Sequence, residues 1–294
     1  MNGWLNIYKP RGISSAKAVA IVKKSFKEFK IGHAGTLDLE AEGILPIAIG
    51  EATKLVSILV DAKKQYEFTI KFCAKTDTGD SSGKIIEICD YFPSQSESID
   101  ICTKFIGIIQ QIPPAYSALK IKGKRAYELA RNGQSVELPS RLVQIYELRC
   151  SDYCFLNKTV SYVCVCSKGT YIRTLAEDIS LALQSLGFVI ELARSRVGVF
   201  DTTYSINISD YIEMSCEEAR AALQKKCLKI EYVLDDIPVL EASPDQVQKI
   251  SFGQLCQFDS DENYNLVWIK CNSNLVAIGS LQSRNFKSSR VFNL

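Results

Sequence analysis

Two kinds of hydrophobic spacing alternate along this 294-residue chain, and together they predict an α+β fold. Residues 14–30 repeat apolar side chains every three or four positions, the spacing of a helix with one buried face (Val19, Val22, Phe26 and Phe29). The segment VSYVCVC instead alternates in the manner of a strand. TYIRTLAEDISLALQSLG returns to helical spacing and predicts a helix that ends at Gly187. We therefore expect helices mixed with antiparallel hairpins.

Glycine and proline divide the rest of the chain. Residues 32–50 predict a glycine-punctuated loop, and QYEFTIKFCAKTDTGDSSGKIIEIC predicts a hairpin that turns within residues 77–83. Residues 124–132 predict a short helix closed by a glycine. From about residue 235 onward, a short helix opened by Ser243-Pro244 and several short strands predict a small β-rich domain.

Length and composition are ordinary for a soluble globular protein. Hydrophobic residues make up 47% and charged residues 23% of the chain. No segment approaches the roughly 20 consecutive apolar residues that span a bilayer, and the first residues lack the pattern of a signal peptide. We expect a soluble, cytoplasmic protein with two domains, residues 1–234 and 235–294.

Cysteine and histidine usage restricts the chemistry. The 11 cysteines include no Cys-x-x-Cys pair, and the nearest pairs, Cys150/Cys154 and Cys164/Cys166, match no common zinc site. We expect reduced core thiols and no bound metal. The single histidine, His33, excludes multi-histidine metal sites, and a Ser-His or Cys-His hydrolase would have to use it.

A net charge of +2 conceals two basic clusters. Residues 1–35 hold seven basic side chains against one acid, Glu28. The second cluster lies in ALKIKGKRAYELAR and contains Lys120, Lys122, Lys124, Arg125 and Arg131. Such clusters indicate a surface that binds a polyanion, although a solvated helix face has the same composition.

The densest group of candidate functional residues is GHAGTLDLEAEGILP, residues 32–46. Its glycines and proline surround the single histidine and Asp38. Glycine permits backbone conformations and close approaches that a Cβ forbids, so such a loop can bring a side chain to a ligand. The pattern alone does not identify the ligand.

Six separated motifs, in the same order, resemble the bacterial TruB family of tRNA pseudouridine-55 synthases: KPRGISS, GHAGTLD, KKQYEF, TDTGD, QIPPAYSALKIKGKRAYELAR and SKGTYIRTLAEDI. The resemblance covers residues 3–200. It implies a pseudouridine synthase fold with a central mixed, largely antiparallel sheet flanked by helices, and a small β-rich C-terminal domain similar to a PUA domain. The chain departs from the family at Leu39, where proline is usual, and near residue 194, where LARSR replaces a frequent Arg-Arg pair.

The resemblance implies a reaction that needs no cofactor and no metal. The bond from ribose to ring nitrogen 1 of a uridine breaks, the uracil rotates, and a bond to carbon 5 forms. Asp38 is the implied catalytic residue, attacking the anomeric carbon or removing the 2′ proton. Since burial alone raises the pKa of a carboxyl group, a cation must oppose it, and Arg173 is the implied partner in a bidentate pair.

The resemblance also implies the residues that hold the target base. The base must leave a folded RNA loop, and stacking on apolar or aromatic side chains recovers part of the lost stacking energy. Tyr66 resembles the tyrosine that stacks on the uracil and helps remove the proton from carbon 5. Leu192 resembles the leucine on the other side of the base, Tyr171 a further substrate contact, and His33 the histidine beside the flipped nucleotide. By composition alone, Tyr66 and Leu192 would be core residues.

RNA binding is expected from two further parts of the chain. Residues 117–141 resemble an insertion that closes over the T-arm of tRNA, with phosphate contacts from Lys120, Lys122, Lys124 and Arg125. The C-terminal domain resembles an RNA-binding accessory. The expected partner is therefore tRNA, bound by a monomer without an obligatory protein partner or a membrane.

Two alternatives to a tRNA uridine-55 isomerase remain open. One is a pseudouridine synthase of another class, such as the archaeal and eukaryotic guide-RNA-dependent relative, which shares GTLD but carries lysine-rich tails that are absent here. The other is an RNA chaperone that folds tRNA. The presence of Asp38, Tyr66 and Arg173 argues against a protein that has lost catalysis.

Overall fold

The structure is a computed structural model of the chain and describes residues 1–114, 116–117, 119–121, 123–131 and 138–294. None of the described helices is both long enough and apolar enough to cross a membrane. The helices are α1 (Ser15–Ser25), α2 (Val56–Asp61), α3 (Gln95–Asp100), α4 (Cys102–Phe105), α5 (Ala126–Arg131), α6 (Ile172–Ala182), α7 (Cys216–Lys225) and α8 (Pro244–Ser251). Short 3₁₀ helices occupy Gly50–Leu55, Ile208–Tyr211 and Ile230–Leu234.

The strands of the N-terminal half are β1 (Gly3–Lys9), β2 (Ile31–His33), β3 (Glu42–Ile49), β4 (Lys64–Phe72), β5 (Ala74–Thr76), β6 (Ile85–Ile88), β7 (Gly107–Gln111), β8 (Lys120–Ile121) and β9 (Lys124–Arg125). Those of the C-terminal half are β10 (Arg141–Cys154), β11 (Thr159–Cys166), β12 (Gly187–Val197), β13 (Phe200–Asp201), β14 (Ile206–Asn207), β15 (Val239–Glu241), β16 (Cys256–Gln257), β17 (Tyr264–Cys271), β18 (Asn274–Gln282) and β19 (Asn285–Val291).

The larger sheet runs in the order β14-β1-β3-β12-β4-β11-β10-β7, with β2 beside β3 and β13 beside β12. Its pairings are antiparallel except for β1 with β14 and β3 with β12. A second sheet, in the order β15-β17-β18-β19-β16, forms the C-terminal part of the chain. The predicted fold class, a largely antiparallel central sheet with flanking helices and a C-terminal sheet, is confirmed.

Three hydrophobic cores include residues of the larger sheet, and two of them meet near the candidate site. In one, α6 packs on β12 and β4, and Leu175 and Ile179 belong to the same buried cluster as Phe68 and Tyr162. In the other, α1 and α7 pack against β1 and β3. Tyr66 and Leu192 are partly buried and contact both cores. The junction between the two cores therefore lies where the sequence predicts the base-holding residues.

The prediction of a loop over residues 32–50 is wrong at both ends, because β2 and β3 occupy most of that range. Strand β3 is a nearly continuous apolar run, buried on both faces, so it lacks the alternation that marks a half-buried strand. Pro46 is tolerated within it. On the edge of β3 that faces away from β1, β2 pairs with Ile47–Ile49 and β12 pairs with Glu42–Gly43. Pro46 lies between these two paired segments, so its missing N–H removes no ladder bond there.

Two predicted helix ends also differ from the structure. The first helix stops at Ser25, because the backbone turns at Phe26, whose ring is fully buried, and the chain does not remain helical to residue 30. Helix α6 stops at Ala182, with Gln184 in the left-handed region. Gly187 instead begins β12. A Cβ there would lie 2.2 Å from Ser180 Oγ, so the glycine permits close packing of the strand on the helix.

The predicted hairpin around residues 77–83 is formed by β5 and β6, in which Ala74 pairs with Ile88. Strand β4 does not belong to it. Cys73 has φ 71°, and this backbone kink separates β4, which joins the larger sheet, from the hairpin. The tip of the hairpin turns back toward the sheet, where Val189 N donates to Gly79 O at 3.0 Å.

Candidate active site

Asp38 lies in the segment 34–41 between β2 and β3, and this segment is held from two sides by buried groups. Ser15, at the start of α1, accepts from Leu37 N at 2.9 Å and lies 3.0 Å from Leu37 O. Arg194 Nη2 donates to Gly35 O at 3.0 Å. The loop is thus held just before Asp38, at residues 35 and 37, by groups that do not depend on the proline absent at position 39.

Lys9 supports the far end of the same loop. Its ammonium group is fully buried and donates to three carbonyls, those of Pro10, Ile13 and Ala41. Burial lowers the pKa of Lys9 to about 8, and the nearby Asp38 carboxylate opposes that shift. Lys9 therefore remains mainly charged at neutral pH and contributes positive potential near Asp38.

Arg173 lies in the first turn of α6, as the sequence predicts, and its side chain is only 6% exposed. Nη2 lies 2.8 Å from Asp38 Oδ2 and donates to Tyr116 O, while Nη1 donates to Thr78 O at 3.0 Å. The guanidinium is therefore shared among several acceptors and is not devoted to Asp38 as the predicted bidentate pair would require.

Asp80 is a second carboxylate on the same guanidinium, and the sequence did not assign it a role. Its Oδ2 lies 3.7 Å from Arg173 Nη1. Its other oxygen accepts from Thr78 Oγ1 and from the backbone and hydroxyl of Ser82, which fixes the carboxylate at the hairpin tip. Asp80 lies in the TDTGD motif, which marked it as a candidate residue. Its contact with Arg173 was not predictable, because it depends on how the hairpin folds back on α6.

A small cavity of about 10 Å³ lies between the Asp38 loop and the hairpin tip. Asp38, Asp80 and Arg173 line it on the polar side, and Leu192 and Val189 of β12 line it on the apolar side. Asp38 is the open member of the group, since its side chain is 43% exposed. The arrangement places the Asp38 carboxyl group beside a buried cation and an apolar wall.

Tyr66 lies on β4, beside the strand that carries Leu192, and does not line the small cavity. Its backbone pairs with that of Arg194 on β12, and Leu192 pairs with Phe68, so Tyr66 and Leu192 occupy neighbouring strands at the junction of the two cores. Burial raises the pKa of the Tyr66 phenol, and the Arg194 guanidinium opposes that rise. The phenol is therefore protonated at neutral pH.

Arg194 is a buried cation whose role the sequence did not predict. It is 1% exposed, and its Nε donates to Ile44 O at 2.9 Å. With the bond to Gly35 O it ties β12 to both ends of the Asp38 loop. Gly43, opposite it, has φ 109°, and a Cβ there would lie 2.3 Å from Arg194 O. The role of Arg194 in holding the Asp38 loop becomes visible only in the structure, because it depends on the pairing of β12 with β3, which joins distant parts of the chain.

His33 and Tyr171 do not line the small cavity. His33 is partly buried at the end of β2, and its Nδ1 finds no hydrogen-bond partner among the described residues. Burial lowers the pKa of His33, so its imidazole is neutral at pH 7. Tyr171 precedes α6 and exchanges hydrogen bonds with Gln111, while the Arg141 guanidinium lies 5.3 Å from its ring centroid.

The predicted phosphate-binding residues cannot be placed. Lys122 lies outside the described residues, as do the side chains of Lys120, Lys124 and Arg125. The backbone of β8 and β9 forms a two-stranded hairpin in which Lys120 pairs with Arg125.

Comparison with known proteins identifies a family. The sequence profile described as TruB family pseudouridylate synthase (N terminal domain) matches residues 23–172. A Rickettsia bellii protein named tRNA pseudouridine synthase B is 57% identical over 291 residues, which are 99% of this chain and 98% of that protein. A Rickettsia akari protein of the same name is 53% identical over 294 residues, which are 100% of this chain and 99% of that protein.

Solved structures share the fold at low sequence identity. A chain of a Cbf5-Nop10-Gar1 complex superposes with a TM-score of 0.72 at 24% identity, covering 99% of this chain and 84% of that one. A chain of an H/ACA RNP bound to a substrate RNA containing 2′-deoxyuridine gives 0.72 at 22% identity, covering 99% and 85%. At these identities the likeness concerns the fold alone.

Proposed function

The chain belongs to the TruB family of pseudouridylate synthases, and we propose that it converts uridine 55 in the T-arm of tRNA to pseudouridine with Asp38 as the catalytic residue. The observation that carries the proposal is the ion pair between the exposed Asp38 carboxylate and the buried Arg173 guanidinium, beside Leu192. The relatives named tRNA pseudouridine synthase B, 53% and 57% identical over nearly the whole chain, support tRNA as the substrate.

Asp38 acts at the ribose of the flipped nucleotide. Its carboxylate attacks the anomeric carbon or removes the 2′ proton, and in either case the bond from C1′ to N1 of the uracil breaks. The uracil then rotates and its C5 bonds to C1′. In the first route this bond displaces the Asp38 carboxylate from C1′, and in the second the proton returns to C2′. C5 then loses its proton while N1 gains one, so the product is an isomer of the substrate. Arg173 aims the Asp38 carboxylate, because its other hydrogen bonds hold the guanidinium in place throughout.

The base is held by stacking. Tyr66 and Leu192 contact the uracil from opposite sides, and the Tyr66 hydroxyl takes part in removing the proton from C5 once the new bond has formed. Tyr171 and His33 contact the substrate outside the small cavity. The neutral imidazole of His33 is suited to packing beside a nucleotide, since it adds no charge.

Phosphate contacts fix the RNA without reading its sequence. We assign them to Lys120, Lys122, Lys124 and Arg125 in the insertion 117–141, and we assign an accessory RNA-binding role to residues 235–294, with residues 1–234 as the catalytic domain. A tRNA substrate is consistent with a cytoplasmic protein, and we expect the chain to act as a monomer on tRNA alone.

Site-specific mapping of pseudouridine tests the proposal. Unmodified tRNA transcript incubated with the purified protein should gain pseudouridine at position 55. Asp38→Asn should abolish product while tRNA binding stays within about tenfold, because the amide keeps the shape but can act neither as nucleophile nor as base. Asp236→Asn, an exposed aspartate away from the site, is the matched control and should retain full turnover.

Each other outcome has a definite meaning. Product at another position would refute uridine 55 as the target, while the proposed pseudouridine synthase activity would stand. Turnover by pure Asp38→Asn protein would remove Asp38 from the catalytic role. Improved folding of tRNA without any pseudouridine from the unaltered protein would favour the RNA chaperone.

A further inference from the structure

The cavity beside Asp38 is too small for the base that the proposed function requires it to receive. Its volume of about 10 Å³ holds no more than one water molecule. A larger cleft of about 490 Å³ adjoins it, and the two share Glu40 and Leu192 in their linings. A nucleotide could therefore enter from this cleft if the wall between the two spaces moved.

Arg11 forms part of that wall. Its Nε donates to Glu40 Oε2 at 2.7 Å, and its Nη2 donates to Ser81 Oγ at 2.7 Å. Glu40 follows Asp38 in the loop, and Ser81 follows Asp80 at the hairpin tip, so one guanidinium joins the two walls of the small cavity. The next residue, Gly12, donates its backbone N–H to Leu39 O at 2.9 Å, which holds the Arg11 turn against the loop.

The surroundings of Arg11 make this bridge easy to displace. The Arg11 side chain is 48% exposed and that of Glu40 is 29% exposed, and ion pairs of this kind are weak. Arg11 is the one cation among the described residues that line the larger cleft, where Glu42, Glu67 and Glu191 add further negative charge. An RNA phosphate that approaches the cleft therefore meets a single favourable partner, and guanidinium binds phosphate through two parallel hydrogen bonds.

We propose that Arg11 is a positioning residue that closes the uridine pocket in the RNA-free protein and is drawn away by an RNA backbone phosphate, which opens the pocket to the flipped base. This inference rests on the proposed function. Glu40 and Ser81 are then competitors of the phosphate for the same guanidinium. If the bridge were purely structural, the prediction would differ. Removing Arg11 and removing Glu40 or Ser81 would then both weaken tRNA binding.

Opposite effects of the two kinds of substitution provide the test. Arg11→Ala should weaken binding of unmodified tRNA transcript and reduce the slope of log Kd against log salt by about 0.7–0.9, the value for one phosphate contact. Glu40→Gln and Ser81→Ala should tighten binding about two- to fivefold, since each weakens the competing contacts of an exposed ion pair. Both should also speed single-turnover formation of pseudouridine.

A matched control separates the bridge from simple charge. Glu67→Gln removes the same charge from the same cleft, but Glu67 is exposed and forms no bridge with Arg11. Glu40→Gln should exceed Glu67→Gln in its effect on affinity, and the excess should vanish when both are combined with Arg11→Ala. Equal effects of Glu40→Gln and Glu67→Gln, or impaired binding by Ser81→Ala, would overturn the proposal.

A measurement without RNA tests the closed state on its own. Hydrogen exchange of the amides in residues 11–13 and 39–41 should be faster in Glu40→Gln and in Ser81→Ala than in the unaltered protein, because both variants release the bridge. Unchanged exchange in both variants would refute it. If the unaltered protein makes no pseudouridine, the proposed function fails and this exchange measurement still decides whether the bridge closes the pocket.

Discussion

Arg173 is held more firmly than the carboxylate that it orients. It is 6% exposed and bonds to two backbone carbonyls and two carboxylates, whereas Asp38 is 43% exposed. Asp38 can therefore turn toward a ribose while the cation stays in place. This division of roles is suited to a reaction in which the same carboxylate must engage the sugar and later release it.

In the proposed mechanism the Tyr66 ring stacks on the base and its hydroxyl takes part in proton transfer, so removing the hydroxyl separates the two roles. Tyr66→Phe keeps the ring, so tRNA binding should stay within a few-fold. Loss of the hydroxyl should reduce product formation by roughly 100-fold or more, the usual contribution of a positioned proton-transfer group. The measurement is the release of a hydrogen-isotope label from carbon 5 of the uridine under single-turnover conditions. Unchanged release would restrict Tyr66 to packing.

Individual site residues were predictable from the sequence where they lie within a recognisable motif. Arg173 and Asp38 were predicted from the resemblance of SKGTYIRTLAEDI and GHAGTLD to the family's motifs, and the structure places their side chains 2.8 Å apart. Arg194 was not assigned, because its contacts depend on pairing between β12 and β3. Asp80 was not assigned either, because its contact depends on how the hairpin tip packs.

At the level of elements, the start of α1 both caps a helix and holds the loop that carries Asp38. Ser14 accepts from Lys17 N at the helix N-terminus, and its neighbour Ser15 bonds to both backbone groups of Leu37. Adjacent serines therefore have separable roles, one within the helix and one toward Asp38.

Comparing the two serines tests this separation. Ser15→Ala leaves two buried backbone groups of Leu37 unpaired and should cost roughly 1–3 kcal/mol of stability. Ser14→Ala removes a helix cap and should cost about 1 kcal/mol. Only Ser15→Ala should also lower turnover, because it releases the loop next to Asp38. Urea unfolding and single-turnover rates measure the two effects, and equal turnover in both variants would contradict the assigned role of Ser15.

Helix α6 carries a pH-dependent cost at Asp178. Burial, and then the neighbouring Glu177, raise the pKa of this carboxyl from 3.8 to about 6. Its contribution to stability is therefore fully present below pH 3.8 and is lost as the pH rises through about 6, because the folded protein must then hold a poorly solvated charge. Asp178→Asn removes this cost.

We expect Asp178→Asn to raise the free energy of unfolding at pH 7.5 by roughly 1–2 kcal/mol, with the gain shrinking as the pH falls toward 4. Urea unfolding at several pH values is the measurement. A gain that is the same at every pH would mean that the change in packing, and not the charge, is responsible.

Helices and strands with regular hydrophobic spacing and clear start or stop residues were predictable from the sequence. The strand VSYVCVC lies within β11, and Ser243-Pro244 opens α8, with Gly253 just beyond its end at φ 71°. Strand β3 was missed because burial on both faces erases the alternation on which strand prediction depends. Glycines that looked like loop residues instead allow close approach, as Gly43 does beside Arg194.

At the level of the whole molecule, the C-terminal sheet shares a core with the N-terminal part of the chain. Leu275, Ile278 and Phe292 pack with Leu55 and Leu234 in one buried cluster. Polar contacts reinforce this packing, since Lys54 Nζ donates to Val291 O at 2.8 Å and Asn293 N donates to Glu51 Oε2 at 2.9 Å. Sequence composition predicted the C-terminal sheet, but it contained no sign of this shared core, because the contacting residues are far apart in the chain.

Phe292 tests whether the two parts unfold together. Its side chain is 7% exposed within the shared core, so Phe292→Ala should cost about 3–5 kcal/mol, the usual loss for removal of a buried phenylalanine ring. If the core joins both parts, a single unfolding transition should move to lower denaturant when followed by tryptophan fluorescence, because Trp4 and Trp268 report from the two parts. Phe252→Ala, which removes a ring that is 73% exposed, should leave the midpoint nearly unchanged. Two separate transitions in the unaltered protein would show that the two sheets are stable independently.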